Sequence, residues 1–64
     1  MRIIRGQSYS KSTSGLVFTV LKIYYSSEHY VKVRGVLSNK SGKIVYETKN
    51  YKLFWSMIED WRIV

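Results

Sequence analysis

HYVKVRGVL, residues 29–37, alternates between two sides of an extended chain: His29, Val31, Val33, Gly35 and Leu37 on one, Tyr30, Lys32, Arg34 and Val36 on the other. Period-two alternation predicts a β-strand with one face on a core and one face in water. The face turned to water carries a tyrosine beside two cations, in a chain of formal net charge +7.

Downstream, SNKSG (38–42) is a turn cluster and KIVYET (43–48) a further strand, so the two strands form a hairpin. With 39–42 as the loop, the inner face pairs Leu37 with Ile44, Gly35 with Tyr46, and Val33 with Thr48. The outer face then pairs Val36 with Val45, Arg34 with Glu47, and Lys32 with Lys49. A ring over a strand glycine and an opposed ion pair favour this register, whereas two opposed lysines repel unless an anion sits between them.

Upstream, LVFTVLKIYY (16–25) is rich in β-branched and aromatic residues and reads as a strand. Phe18 and Val20 share one face and Leu21 and Ile23 the other, so a bulge or bend is expected near Leu21 and Lys22. SSE (26–28) makes the turn into the alternating strand, and SYSKSTSG (8–15) reads as a short first strand followed by an exposed loop. In the tail, NYKLFWSMIEDWRIV (50–64), Leu53, Phe54, Met57, Ile58 and Trp61 follow helical spacing, and Ser56 with Glu59 fits a capping box. Trp61, Ile63 and Val64 read as a closing strand.

Five short strands with one short helical turn before the last is the plan of an all-β, SH3-like barrel, with residues 1–64 as a single domain. Its expected core is Phe18, Val20, Ile23, Val31, Val33, Leu37, Ile44, Tyr46, Leu53, Ile58, Trp61 and Ile63. A three-stranded sheet packed on a C-terminal helix is the alternative, if residues 50–60 form a longer helix.

Size agrees with one domain. A chain of 64 residues buries only about 60% of its unfolded surface, so its core must be dense, and six Tyr, two Phe and two Trp supply large side chains. The absence of cysteine excludes disulfides and thiolate metal sites. MRIIRGQ at the start is too briefly apolar for a signal peptide or a membrane span, so a cytoplasmic protein with no membrane partner is expected. A pI near 9.9 favours polyanionic partners, nucleic acid first.

GQSY, GLVFTV with Ile23, VKVRG, YKLFW and the final WRIV resemble the small SH3-like barrel proteins encoded by bacteriophages and prophages. The likeness spans most of the chain and consists of glycine, aromatic and aliphatic spacing. It implies a phage or mobile-element origin and roles such as nucleic-acid binding or manipulation of a host protein, and it carries over no site residue.

The inventory for catalysis is thin. His29 is the single histidine; Glu28 and His29, as strand neighbours, are expected to point to opposite faces; Glu59 and Asp60 read as a cap and a solvated charge. No phosphate loop, metal spacing or nucleophile motif occurs, so the chain reads as a non-enzyme without cofactor or metal. The stronger candidate is a nucleic-acid-binding face, with Tyr30 as a stacking platform and Lys32, Arg34, Lys40, Lys43 and Lys49 for phosphates of DNA or RNA. The ordinary alternative is a solvated strand face. A rival function, a protein-interaction module acting on a host protein, would use Tyr24, Tyr25, Tyr51 and Trp55. A third possibility is self-association through Val36, Val45 and open strand edges, so the expected state is a monomer or a weak homodimer.

Overall fold

The computed structural model describes residues 2–11 and 15–64. The segment 12–14 of the expected Ser-rich loop, like residue 1, lies outside the described residues. Five strands, β1 (Ser8–Lys11), β2 (Val17–Ser26), β3 (Tyr30–Ser38), β4 (Ile44–Phe54) and β5 (Trp61–Ile63), form one antiparallel sheet in the order β4-β3-β2-β1-β5. A 3₁₀ turn, Trp55–Met57, leads from β4 into β5 and is the single helical element among the described residues. The sheet is not closed: β4 and β5 are its two edges.

The alternation of residues 29–37 emerges as β3, the strand against which both β2 and β4 pair. Its odd-numbered residues face inward, with Val31 and Val33 almost wholly buried, and its even-numbered residues face out. The face switch expected in β2 is a bulge at Leu21, and a second bulge follows at Tyr24. Leu21 drops out of the ladder, so that Val20 and Ile23 both reach inward, opposite Gly35 and Val33.

The β3–β4 hairpin closes on a tighter loop than expected. Asn39 donates its N–H to the Lys43 carbonyl at 2.9 Å, and the Asn39 Oδ1 accepts from Ser41 N, Ser41 Oγ and Lys43 N. Gly42 takes a φ of 88°, the left-handed residue that ends such a three-residue loop. This loop, an irregularity at Leu37/Ser38 and a bulge at Lys49 and Asn50 correct the register: Leu37 pairs with Tyr46, Gly35 with Thr48, Val33 with Tyr51, Val36 with Glu47, and Lys32 with Lys52.

The tail is corrected as well. β4 continues to Phe54, only Trp55–Met57 is helical, and Phe54 precedes that turn without a side-chain cap, so the Ser56–Glu59 capping box does not form. The helical alternative for residues 50–60 is excluded. The turn is held instead from outside, by Trp55 N–H to the His29 carbonyl (3.1 Å) and Trp55 Nε1–H to the Ser27 carbonyl (2.8 Å), while Ile58 plugs the core beneath it.

The core is Ile3, Tyr9, Phe18, Val20, Val31, Val33, Leu53 and Ile58, with Ile23, Leu37, Trp55 and Trp61 packed against it. Ile44, Tyr46 and Ile63, expected inside, are exposed because none of the described residues covers the first half of β4 or the end of β5. Tyr9 is buried with its hydroxyl satisfied, accepting from Ile4 N at 2.8 Å and donating to the Arg2 carbonyl at 3.2 Å, which brings Ile3 into the core. At Gly35 the sheet has no room for a side chain: an added Cβ would stand 2.4 Å from the Phe18 ring and 2.6 Å from the Thr19 carbonyl oxygen.

Candidate nucleic-acid interface

The outward residues of β3 have their partners fixed by the ladder. Lys22 of β2 stands opposite Arg34, and Tyr25 of β2 and Lys52 of β4 stand on either side of Lys32. Tyr30, at the start of β3, has Phe54 of β4 opposite it. The second β2 bulge is what brings Tyr25 to this face: Tyr24 is the surplus residue, so Tyr25 rather than Tyr24 pairs with Lys32.

Three rings therefore run across three strands, with centroids 6.0 Å apart for Tyr25 and Tyr30 and 5.6 Å for Tyr30 and Phe54. Both contacts are tilted, at 51°, which leaves parts of the ring faces open, and Tyr25 and Phe54 are exposed. Lys52 Nζ lies 5.0 Å over the Tyr30 ring, a cation–π contact, and Lys22 Nζ lies 5.2 Å over Tyr24. Tyr30 is anchored through its backbone, since Ser27 Oγ accepts its N–H at 3.1 Å and the Ser27 N–H reaches its carbonyl at 2.8 Å.

The electrostatics of the face are one-sided. Two cation pairs, Lys22 with Arg34 and Lys32 with Lys52, stand directly opposite each other in the ladder. Among the described residues, none of these four is within ion-pair distance of a carboxylate. Like charges in such positions destabilise a sheet by up to about 1 kcal/mol per pair. The expected Arg34–Glu47 pair is absent because Glu47 stands opposite Val36, and Arg34 faces the Lys49–Asn50 bulge.

Tyr30, Lys32 and Arg34 thus stand together on one face. Lys40 and Lys43 lie apart from them: they occupy the tip of the hairpin, beyond Ser38, which at roughly 3.4 Å per residue is about 14 Å along β3 from Arg34 and about 27 Å from Tyr30. The Lys40 stem lies against Gly15 there. Lys49 is exposed in the bulge. Lys22, Lys52, Tyr25 and Phe54 as members of this face were not legible without the register.

The four aromatic residues of the rival reading do not share a surface. Tyr25 is on the outer face, Tyr24 is in the bulge, Tyr51 stands opposite Val33 on the inner side, and Trp55 is partly buried and tethered to Ser27. Val36 and Val45 are likewise not opposed. His29 and Glu28, expected to point apart, come to 3.6 Å because both lie in the turn before β3 rather than in the strand, and both are well exposed. Among the described residues no cluster of His, Asp or Glu is arranged to hold a metal ion, and no helix is long and apolar enough to cross a membrane.

No family model, curated protein or solved structure matches the chain.

Proposed function

We propose that this chain is a non-enzymatic accessory protein, encoded by a phage or prophage and acting in the cytoplasm, that binds single-stranded nucleic acid on the outer face of β2, β3 and β4. The observation that carries the reading is the pair of opposed cation pairs, Lys22–Arg34 and Lys32–Lys52, beside the Tyr25–Tyr30–Phe54 rings. A phosphate backbone relieves the repulsion within each pair, and unpaired bases stack on the rings, which a duplex does not offer. The order β4-β3-β2-β1-β5, with a 3₁₀ turn before the last strand, supports an SH3-like plan for the domain.

Fluorescence anisotropy with labelled single-stranded oligonucleotides, over roughly 50 to 300 mM salt, tests the reading. Four cations on four phosphates give a log–log slope near −2.8. Lys32→Ala combined with Lys52→Ala reduces that slope by about 1.4, and Tyr30→Ala weakens binding about 5- to 150-fold. Binding indifferent to salt, or unchanged in both variants, rejects it.

A further inference from the structure

The inner side of the sheet presents a second surface. Between the two edge strands runs a trough of about 300 Å³, walled by Tyr46 and Tyr51 of β4 and Trp61 of β5, with Leu37, Leu53 and Met57 along it. A hollow of about 210 Å³ continues it past Phe18 and Trp61 toward Tyr9. Tyr46 and Met57 are 63% and 58% exposed, and Ile44, Val45 and Tyr46 form an unbroken exposed apolar run on the outer half of β4.

Two features specify what fits. Among the described residues the edge of β4 has no neighbouring strand for its backbone N–H and C=O groups, and such an edge beside a groove is completed by an extended chain that adds as a further strand. The usable stretch lies between Ile44 and Thr48, with the surplus residue Val45 within it and the Lys49–Asn50 bulge ending it. Charge then chooses among extended chains. Lys43, just before β4, and Lys49, in its bulge, flank this stretch and Lys11 lines the trough, against Glu47 alone among the acids of β4 and β5. A second copy would bring another +7, whereas an acidic chain is complementary.

We propose that the trough takes an extended acidic peptide with alternating apolar side chains, which pairs with β4 between Ile44 and Thr48 and lays its apolar residues against Tyr46, Tyr51 and Trp61. The site lies on the side of the sheet opposite Tyr30, Lys32 and Arg34, so peptide and nucleic acid bind together without competition.

The probe is an end-blocked peptide of about ten residues alternating Glu and Leu, titrated into the isotope-labelled full chain. Its Lys–Leu counterpart and an N-methylated Glu–Leu version serve as comparators. The proposal expects saturable binding with amide shifts confined to β4, Tyr51 and Trp61, at least about tenfold weaker for either comparator. Tyr46→Ser with Met57→Ser, both at exposed positions, weakens binding at least about tenfold with the other resonances unmoved. No binding at about 1 mM peptide, shifts centred on Tyr30 and Lys32, equal affinity for the Lys–Leu peptide, displacement by a single-stranded oligonucleotide, or a trough already covered in a dimer by sedimentation would each overturn it.

Discussion

Replacing Gly35 by alanine should cost this domain much of its stability, although it adds one methyl group. The new Cβ would meet the Phe18 Cζ at 2.4 Å and the Thr19 carbonyl oxygen at 2.6 Å, where ordinary contacts lie near 3.5–4.0 Å. The Phe18 ring is buried and packs on Trp61 at a centroid distance of 5.6 Å, so it has little freedom to swing away. The Thr19 carbonyl is backbone of the β2–β3 ladder and moves only with the strand. Overpacking typically costs about 1–3 kcal/mol, and a clash with backbone on one side belongs at the upper end. A domain of this length has roughly 3–10 kcal/mol in total. At about 4–8 °C per kcal/mol, a loss near 3 kcal/mol lowers the melting temperature by about 12–24 °C. Thermal and urea unfolding followed by circular dichroism measures it. Phe18→Leu added to Gly35→Ala removes the ring contact but not the carbonyl contact, so it should not restore stability. A drop below about 4 °C for the single variant, or full recovery in the double, would refute the reasoning.

Thr48→Val removes a buried hydroxyl that accepts the Gly35 N–H at 2.9 Å and donates to the Gly35 carbonyl at 3.1 Å; urea unfolding should show a loss of about 1–3 kcal/mol that Thr48→Ser largely avoids. Tyr9→Phe should cost about 1 kcal/mol and accelerate amide exchange at Ile4, whose N–H loses its acceptor. Ile58→Ala, at a site 1% exposed, should cost about 2–5 kcal/mol in the same unfolding assay. Arg34→Glu should raise stability by about 0.2–1 kcal/mol, by turning its repulsion from Lys22 into attraction, while weakening oligonucleotide binding; a variant that loses both, or gains both, contradicts the role given to the opposed cations.

The alternation at 29–37 was enough to place β3 and its two faces, and the mixed pattern of LVFTVLKI was enough to place the first β2 bulge. What the pattern hides is register. A three-residue hairpin loop, a surplus residue at Val45 and another at Lys49–Asn50 together exchange Lys49 for Lys52 opposite Lys32, and no single-strand periodicity reports that. The helical spacing of Leu53, Ile58 and Trp61 has another origin: a strand end, a lone 3₁₀ turn and a new strand happen to bring all three inward. Ile3 and Tyr9 escaped notice because each lies in a stretch too short for a period, and their burial depends on a hydroxyl reaching back to the backbone at Arg2 and Ile4. In the candidate site, Tyr30, Lys32 and Arg34 were legible because they share a strand, whereas Lys22, Lys52, Tyr25 and Phe54 meet them only across strands.

β2 is longer than the ladder it serves. Its ten residues run from Val17 to Ser26, yet Leu21 and Tyr24 have no opposite number on β3. Excising either would leave every remaining side chain on its present side and flatten the sheet, since such surplus residues add bend and twist. The separation of the two rims is therefore governed by chain length within one strand, and deleting the single codon for Leu21 is the smallest change that would widen the mouth of the molecule while sparing the chemistry of either surface.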